Sequence, residues 1–371
     1  MDFTLTSAQE DLGALTRQIL TDRVTQERLR GIEAGGTRFD AGLWSDLAAA
    51  GVLAAALPEA AGGAGLGLLE QCSVLIEIGR TVAPVPYLAS IVVGANAVAT
   101  FGRPEQQERW LVPGAGGELI LAAAVADEDG EGGHRPATSA ERSGDGWELT
   151  GVKTTVLAGA IADAVLVPAN TTDGPAVFVI TPSDPGVTVQ SQQVTGADAA
   201  AFIELSRAQL PADRVLGGAG AGPAIIDWLA ERMTIGLCAL QLGVTERALE
   251  LTAAYARSRE QFGKPIGSFQ AVSQRLADGY IDVEGIRLSL WQAAWLLAEG
   301  RACLTELATA KFWAAEAGHR VAHSAVHIHG GVGIDMDGEI HRYFAAAKCN
   351  EFALGGATAQ LRRIGATLAS G

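Results

Sequence analysis

Apolar residues recur at helical spacing through the first hundred residues of the chain. Ser7 stands where it can cap a first helix, whose inward face then carries Leu12 and Ile19. The same spacing returns in three later runs, at residues 43–50, 68–80 and 90–101. Segments rich in glycine and proline separate the runs. The pattern predicts a helical N-terminal domain over residues 1–116.

The periodicity changes between about residue 118 and residue 216. Short runs with β-branched residues, such as GWELTGVKTTVL at 146–157 and PAVFVITP at 175–182, are separated by Gly, Asp and Pro. They predict a small antiparallel sheet that forms its own domain over residues 117–216. The LGGAGAGP segment at 216–223 has neither the Lys-Ser/Thr ending nor the βαβ context of a nucleotide-binding loop, so we expect a hinge there.

Helical spacing resumes at Ala224 and continues to the end of the chain. The first of these helices is apolar on most sides, which predicts that other helices bury it. Three more follow, at 272–299, at 303–327 and from about Tyr343 onward. We therefore predict a C-terminal four-helix bundle over residues 217–371, in a protein that is mainly α with a central β domain.

Composition narrows the possible partners. A chain of 371 residues with 48% hydrophobic residues can bury a large core in two or three subdomains. A formal net charge of -15 repels a phosphate backbone over most of the surface, so nucleic acid is a poor partner. The N-terminus lacks a basic segment followed by an apolar one, and no apolar run reaches membrane-spanning length. We expect a cytoplasmic protein without a membrane segment.

Cysteine and histidine positions argue against a metal centre. The four cysteines are far apart in sequence and include no CxxC pair, which favours reduced thiols over a disulfide framework or a zinc site. His319, His323 and His327 recur every fourth residue and would share one helix face. No carboxylate is interleaved as in HExxH, so we expect packed or water-bonded histidines and no metal.

The segment YARSREQFGKPIGSFQ, residues 255–270, joins two predicted helices through a fixed turn. Arg259 stands at the polar end of the first helix, Gly263 and Pro265 break it, and Phe262 lies beside a cation suited to a diphosphate. The alternative is a surface arginine that pairs with a neighbouring carboxylate such as Glu260. Two further segments follow it, AVHIHGGVGIDMDGEIHR at 325–342 and GATAQLRR at 356–363.

In this order, the three segments resemble the RxxFG, QxxGGxG and EGTAQIQR segments of the acyl-CoA dehydrogenases. The resemblance covers nearly the whole chain, and it implies the same three-domain architecture, FAD as cofactor and an acyl-CoA substrate. In the family, the matching Arg and Phe reach across a subunit interface to a neighbour's FAD, the paired glycines let backbone approach its adenosine, and the last helix adds polar contacts. The cofactor-binding residues implied here are Arg259, Phe262, His327, Gly330, Gly331, Thr358 and Gln360.

Other parts of the family pattern are missing. The family's dehydrogenation needs a carboxylate that removes the α-proton and a flavin that accepts the hydride. The glutamate that most often serves as base is replaced here by Gly356, which cannot take a proton. Thr155 stands for an indole that shields the flavin, Leu157 stands for a threonine near the flavin N5, and AVADEDGEGG at 124–133 replaces the MTEPxAGSD loop.

A second branch of the family carries its base on the long helix before the RxxFG turn. Glu231 lies within about one turn of that position, although counting back from Tyr255 without gaps gives Met233. An offset of two residues points a side chain well away from its target, because adjacent helix positions differ by about 100°. Glu231 is thus a candidate base or a surface partner of Arg232, and Glu351 is a weaker candidate.

The parts that would complete a neighbour's FAD site are present, whereas those that would hold this chain's own flavin ring and acyl group are degraded. This pattern suits the base-deficient subunit of an unlike pair. It resembles the α2β2 dehydrogenases that act on CoA thioesters of steroid side chains. Two alternatives are a homotetrameric acyl-CoA dehydrogenase with Glu231 as base, and a flavin-free scaffold or CoA-binding protein.

Overall fold

A computed structural model describes residues 6–127, 136–196, 198–218 and 220–370. Much of the 124–133 loop and one residue of the predicted hinge, Ala219, lie outside the described residues. The described N-terminal helices are α1 Ser7–Arg23, α2 Gln26–Gly35, α3 Ala41–Ala49, α4 Leu68–Thr81, α5 Asn96–Phe101, α6 Pro104–Gln106 and α7 Val112–Ala115, with π-helical segments at Leu88–Ala95 and Gln107–Leu111.

The first helix begins one residue earlier than the sequence suggested. The Thr6 hydroxyl accepts a hydrogen bond from the Gln9 backbone N–H, and the Gln9 side chain accepts one from the Thr6 N–H. This reciprocal pair satisfies two backbone donors at once. Thr6 is therefore the N-cap, and the prediction of Ser7 was wrong by one position.

The central domain is a mainly antiparallel sheet with the strand order β6-β7-β3-β2-β4-β5-β8. Its strands are β1 Leu121–Ala123, β2 Ser139–Ser143, β3 Gly146–Val156, β4 Ala164–Thr171, β5 Gly174–Ile180, β6 Val187–Ser191, β7 Ala201–Leu210 and β8 Val215–Leu216. Two pairings, β1 with β4 and β2 with β4, are parallel, so the predicted antiparallel sheet is mixed in part. Trp147 and Phe178 meet edge to face in its core, at 5.2 Å between ring centroids.

Long helices form the C-terminal domain. They are α8 Gly222–Ser258, α9 Gln270–Ala298, α10 Leu304–His329, α11 Ile340–Phe352 and α12 Ala357–Ser370. The predicted last helix is two helices, because Leu354 and Gly355 both adopt positive φ, 56° and 90°, and stop α11. A short two-stranded hairpin, β9 Glu260–Gln261 and β10 Lys264–Pro265, follows α8.

Helices α4 and α8 approach each other through glycines. A Cβ built on Gly243 would lie 1.9 Å from the Ile76 carbonyl oxygen, and one built on Gly79 would lie 2.2 Å from the Leu240 carbonyl oxygen. No other residue fits at such a distance without moving backbone. The N-terminal helices thus share one hydrophobic core with α8, α9 and α10. None of the helices in the described part of the chain combines the length and apolarity that crossing a membrane requires.

Candidate active site

Two adjoining cavities lie where the three domains meet. The inner cavity, about 120 Å³, lies between α4, the segment after it, α8 and α11. The sheet cavity, about 370 Å³, lies between strands β1 and β3 on one side and α8 and α11 on the other. The two cavities share four of their lining residues, Leu157, Leu237, Cys349 and Ala353. The two cavities therefore adjoin each other at these residues.

The inner cavity is lined mainly by apolar residues. Its polar lining consists of Arg38, Asp198 and Asn350. The Ala158 N–H donates to Asp198 Oδ1 at 2.9 Å, and burial raises the pKa of the Asp198 carboxyl. Arg38 Nη1 donates to the Val194 carbonyl oxygen at 2.8 Å and so ties the loop after β6 to the N-terminal domain. Asp198 belongs to none of the sequence motifs described above, so its position at a cavity was not predicted.

Backbone strain gathers around both cavities. Seven described residues other than glycine have positive φ, and the five that line a cavity are Arg38, Val82, Thr155, Ala158 and Leu354. Such conformations cost about 1–3 kcal/mol each and persist only where the surroundings hold them. The Thr155 N–H is held by Gln192 Oε1 at 2.8 Å, as Ala158 is by Asp198. Clustered strain of this kind is typical of a functional site.

The sheet cavity contains no acid among the described residues that line it. Its polar lining consists of Thr154, Thr155, Gln193, Thr195 and Lys348. Thr155, which replaces the indole of the family, is exposed. Lys348 is the charged residue of this lining, and its Nζ lies 2.6 Å from Glu351 Oε2.

Glu231 does not line either cavity, although it lies on α8. Met233, which is 2% exposed, lines the sheet cavity instead. Two residues along a helix turn a side chain by about 200°. Burial, and after it the charge of Glu231, raises the pKa of the Cys303 thiol to about 11, which places Glu231 near the turn between α9 and α10. Met233, the position that ungapped counting gave, is thus the one of the two that lines a cavity.

Glu351 is also turned away from the cavities. Both of its carboxylate oxygens lie 3.2 Å from His319 Nδ1, and Lys348 completes the cluster. The His319 ring packs 4.2 Å from the His323 ring, so these two histidines have ring and ion-pair partners. Among the described residues no group of three or more His, Cys, Asp or Glu side chains is arranged to hold a metal ion.

The turn that carries Gly356 is closed by side chains of its own chain. Gln360 is fully buried, and its Nε2 donates to the carbonyl oxygens of Leu354 at 3.3 Å and Gly355 at 2.9 Å. Beneath the turn, Lys311 Nζ donates to two carbonyls at the end of α11, and burial lowers the Lys311 pKa to about 8. Gln360 thus supports the turn, and the Thr358 side chain beside it is exposed.

The hairpin after α8 projects an aromatic ring outward. Arg259 is the C-cap of α8, and Phe262 and Gly263 form the two-residue turn with φ of 54° and 79°. Positive φ at both turn residues matches the twist of a tight hairpin. Phe262 is 93% exposed and touches the Phe269 ring edge to face at 6.1 Å. A large apolar ring held outward by a rigid hairpin is suited to contact another molecule.

The end of α10 lies beside this hairpin. His329 stacks on Tyr255, which lies in the last turn of α8, with ring centroids 4.3 Å apart. Gly330 and Gly331 follow, both exposed, and a Cβ built on either would meet nothing within 4 Å. An exposed backbone of this kind leaves room for close approach of a ligand. Arg259, Phe262, His327, Gly330 and Gly331 therefore lie at one end of the bundle.

Thr358 and Gln360 lie at the other end. They begin α12 beside Leu354, which lines the sheet cavity. Met233 at that cavity and Tyr255 at the hairpin are 22 residues apart on α8, which is about 33 Å. The seven predicted cofactor residues thus form two groups, one beside this chain's own cavity and one on a distant surface.

Comparison with known proteins identifies this arrangement. The residues 6–118 match the acyl-CoA dehydrogenase N-terminal domain, and the residues 220–369 match the acyl-CoA dehydrogenase C-terminal domain. The acyl-CoA dehydrogenase FadE27 of Mycobacterium tuberculosis is 52% identical over 100% of this chain and 99% of its own length. The chain belongs to the acyl-CoA dehydrogenase family. The predicted family, fold class and enzyme class are thereby confirmed.

Two solved structures are similar to this protein over almost the whole chain. The ChsE4-ChsE5 complex from Mycobacterium tuberculosis contains a chain 51% identical, with a TM-score of 0.95 and coverage of 100% of both chains. The Tcur3481-Tcur3483 steroid acyl-CoA dehydrogenase contains a chain 41% identical, with a TM-score of 0.91 and coverage of 98% of both chains. Members of the acyl-CoA dehydrogenase family are FAD flavoproteins.

Proposed function

We propose that this acyl-CoA dehydrogenase chain is the base-deficient subunit of a heteromeric, FAD-dependent enzyme that dehydrogenates an acyl-CoA thioester between its α and β carbons. It completes the FAD site of an unlike partner. The observation that carries this proposal is the placement of the motif residues. The group at the hairpin end keeps its Arg, Phe and paired glycines and is exposed, while the chain's own sheet cavity is lined by described residues without an acid.

The reaction requires a carboxylate side chain that removes a proton from the α-carbon of the substrate. Gly356 replaces the usual one, Glu231 faces away from the cavities, and Glu351 is engaged with Lys348 and His319. Asp198 lines the inner cavity, but its Oδ1 accepts the Ala158 N–H that holds a strained turn. The proposal therefore assigns proton removal to the partner subunit.

The exposed group fits an FAD diphosphate and adenosine. The Arg259 guanidinium offers a planar, permanently charged donor set for phosphate oxygens, and Phe262 offers an apolar ring beside it. Gly330 and Gly331 leave their backbone open to approach. FAD, when bound, supplies the hydride acceptor of the reaction. The role of this chain is to bind and orient that group from across the subunit interface.

The size of the inner cavity supports placing the substrate in the partner. Its volume of about 120 Å³ is smaller than the roughly 150 Å³ of an apolar cavity that holds benzene. A steroid side chain needs more room than that. We propose a CoA thioester of a steroid side chain as substrate, because the similar Tcur3481-Tcur3483 enzyme is a steroid acyl-CoA dehydrogenase.

An unlike partner also agrees with the comparisons, since a chain of the ChsE4-ChsE5 complex is 51% identical to this one. A homotetramer that uses Glu231 as base would need that residue at a cavity, where Met233 lies. A flavin-free scaffold would not require an exposed Phe262 beside Arg259.

Replacing Glu231 by glutamine tests the assignment of the base. The amide keeps the shape of the side chain but cannot accept a proton, and loss of a general base costs about 10²- to 10⁴-fold in rate. If the partner holds the base, reduction of bound flavin by acyl-CoA should slow less than about tenfold. Rapid-mixing absorbance measurements on the assembled heteromer give this rate.

The companion variant Asp198→Asn is measured in the same way, because Asp198 is the acid that lines the inner cavity. Glu316→Gln, at a half-buried glutamate on α10 that pairs with Arg320, is the control for loss of one carboxylate charge away from the cavities. A loss above a hundredfold in either Glu231→Gln or Asp198→Asn, with flavin still fully bound, would make this chain the catalytic subunit.

A further inference from the structure

Arg342 is a buried arginine that joins two distant parts of the chain. It lies in the first turn of α11, and its side chain is 6% exposed. Its Nε and Nη2 donate to the two carboxylate oxygens of Glu33, on α2, at 2.7 and 2.8 Å. Its Nη1 donates to Gln26 Oε1 at 2.6 Å and to the Gly338 carbonyl oxygen at 3.2 Å. Paired hydrogen bonds of this kind fix orientation as well as distance.

Helix α2 makes further contacts with the residues just before Arg342. Gln26 Nε2 donates to Glu339 Oε2 at 3.2 Å, and Arg30 lies 3.8 Å from Asp337. The hydrogen bonds from Arg342 also hold the pKa of the Glu33 carboxyl below its usual value, as expected for a carboxylate that stays charged. These contacts all fall on residues 337–342, directly after the turn that carries Gly330 and Gly331.

That turn, the 3₁₀ helix Gly330–Ile334, is held at its ends and at the buried Gly333, where a Cβ would lie 2.9 Å from the Val326 carbonyl oxygen. On the α10 side, His329 stacks on Tyr255, and its Nδ1 lies 2.9 Å from the Ala325 carbonyl oxygen. Within the turn, Val332 and Ile334 are 53% and 70% exposed. Because the other side chains of the turn are largely exposed, its position depends on Gly333 and on the anchors on either side.

We propose that Arg342, held by Glu33 and Gln26, is a positioning residue that fixes Gly330 and Gly331 for contact with the partner's FAD. The N-terminal helical domain thereby sets how tightly the heteromer retains its flavin. This inference rests on the proposed function, because it assumes that Gly330 and Gly331 contact a flavin across the interface. Arg342 itself does not contact the cofactor; it acts through the backbone of residues 335–338.

The test is the FAD dissociation constant of heteromers that carry Glu33→Gln, measured by flavin fluorescence. We expect an increase of at least about fivefold, since small displacements of positioned groups have large effects on binding. The KM for acyl-CoA should not change, because the partner binds the acyl group. Exchanging the charges, with Glu33→Arg combined with Arg342→Glu, should recover part of the lost affinity.

Glu77→Gln is the matched control. Glu77 accepts two hydrogen bonds from Arg17, at 2.9 and 2.7 Å, and its side chain pairs with Arg17 and Arg80 rather than with residues 337–342. A merely structural role would lower flavin affinity in both variants in proportion to lost stability. If Glu33→Gln does not assemble, Gln26→Leu, which removes one acceptor of Arg342, is judged by the same criterion.

Arg259→Ala, prepared in parallel, separates the two ideas. If Arg259→Ala weakens FAD binding while Glu33→Gln leaves it at the wild-type value, the positioning role of Arg342 is wrong and the proposed function stands. If neither variant weakens FAD binding, this chain does not contact the partner's flavin, and both ideas are wrong.

Discussion

Replacing Arg259 by alanine is expected to lower the FAD affinity of the assembled heteromer by about tenfold or more. A charged hydrogen bond to phosphate contributes about 1.5 to 3 kcal/mol, and each 1.4 kcal/mol is a factor of ten. The fold should survive, because the backbone of Arg259 holds the hairpin: its N–H donates to the Tyr255 carbonyl oxygen, and its own carbonyl accepts from Ile266, both at 2.8 Å. Flavin fluorescence after dilution measures the affinity.

Arg257→Ala is the control for this substitution. Arg257 is exposed in the last turn of α8, and it lies two residues, or about 200°, away from Arg259 around the helix axis. The two variants lose the same charge in the same region. Equal flavin retention in Arg257→Ala and Arg259→Ala heteromers would show that Arg259 is only a surface cation.

Replacing Gly243 by alanine is expected to lower the free energy of unfolding by about 2 kcal/mol or more. The new Cβ would lie 1.9 Å from the Ile76 carbonyl oxygen and 2.8 Å from the Arg80 backbone nitrogen, so α4 and α8 must separate. Overpacking typically destabilises a protein by about 1–3 kcal/mol, and contact with backbone falls at the upper end or above it. The better helix propensity of alanine offsets only about 1 kcal/mol of this loss. Urea unfolding followed by circular dichroism measures the change.

Gly365→Ala is the matched control, since it is the same substitution in helix α12 with nothing within 4 Å of the new Cβ. That variant should be as stable as the wild type or more stable by up to about 1 kcal/mol. If Gly243→Ala is as stable as Gly365→Ala, helices α4 and α8 do not approach each other as closely as described.

The domain order and most long helices could be predicted from the sequence, because their apolar positions recur at regular spacing. The turn after α8 could be predicted too, since Gly263 and Pro265 disfavour continuation of the helix, but its two-stranded pairing was not predicted. The break between α11 and α12 was missed although Gly355 and Gly356 are a local sign of it, whereas the positive φ of Leu354 has no such sign. The parallel pairing of β1 with β4 depends on contacts between distant segments, which strand patterns do not specify.

The two cavities show a second limit of sequence reasoning. Their walls come from loops near Arg38, Val82, Leu157 and Asp198, which are far apart along the chain. No spacing rule brings such residues together. The same holds for Arg342, whose partners on α2 are about 300 residues away in sequence. Family resemblance indicated seven cofactor residues, but only the structure divides them between two ends of the bundle.

If the partner subunit holds the flavin ring and the base, as proposed, this chain alone should bind flavin weakly. Thr155 replaces the shielding indole, and its N–H is already accepted by Gln192. Leu157 offers no hydroxyl near the flavin ring. On this proposal the chain's own cavity lacks contacts on the isoalloxazine side, and Arg259 and Phe262 contact the FAD of a partner subunit.

The most direct test of this account is the flavin-to-protein ratio, read from absorbance, of the chain purified alone and after co-expression with an unlike acyl-CoA dehydrogenase subunit that keeps the indole and a base. We predict a colourless or sub-stoichiometric chain alone, and a complex whose bound FAD is reduced by acyl-CoA. Stoichiometric flavin in a catalytically active homotetramer of this chain would contradict the account.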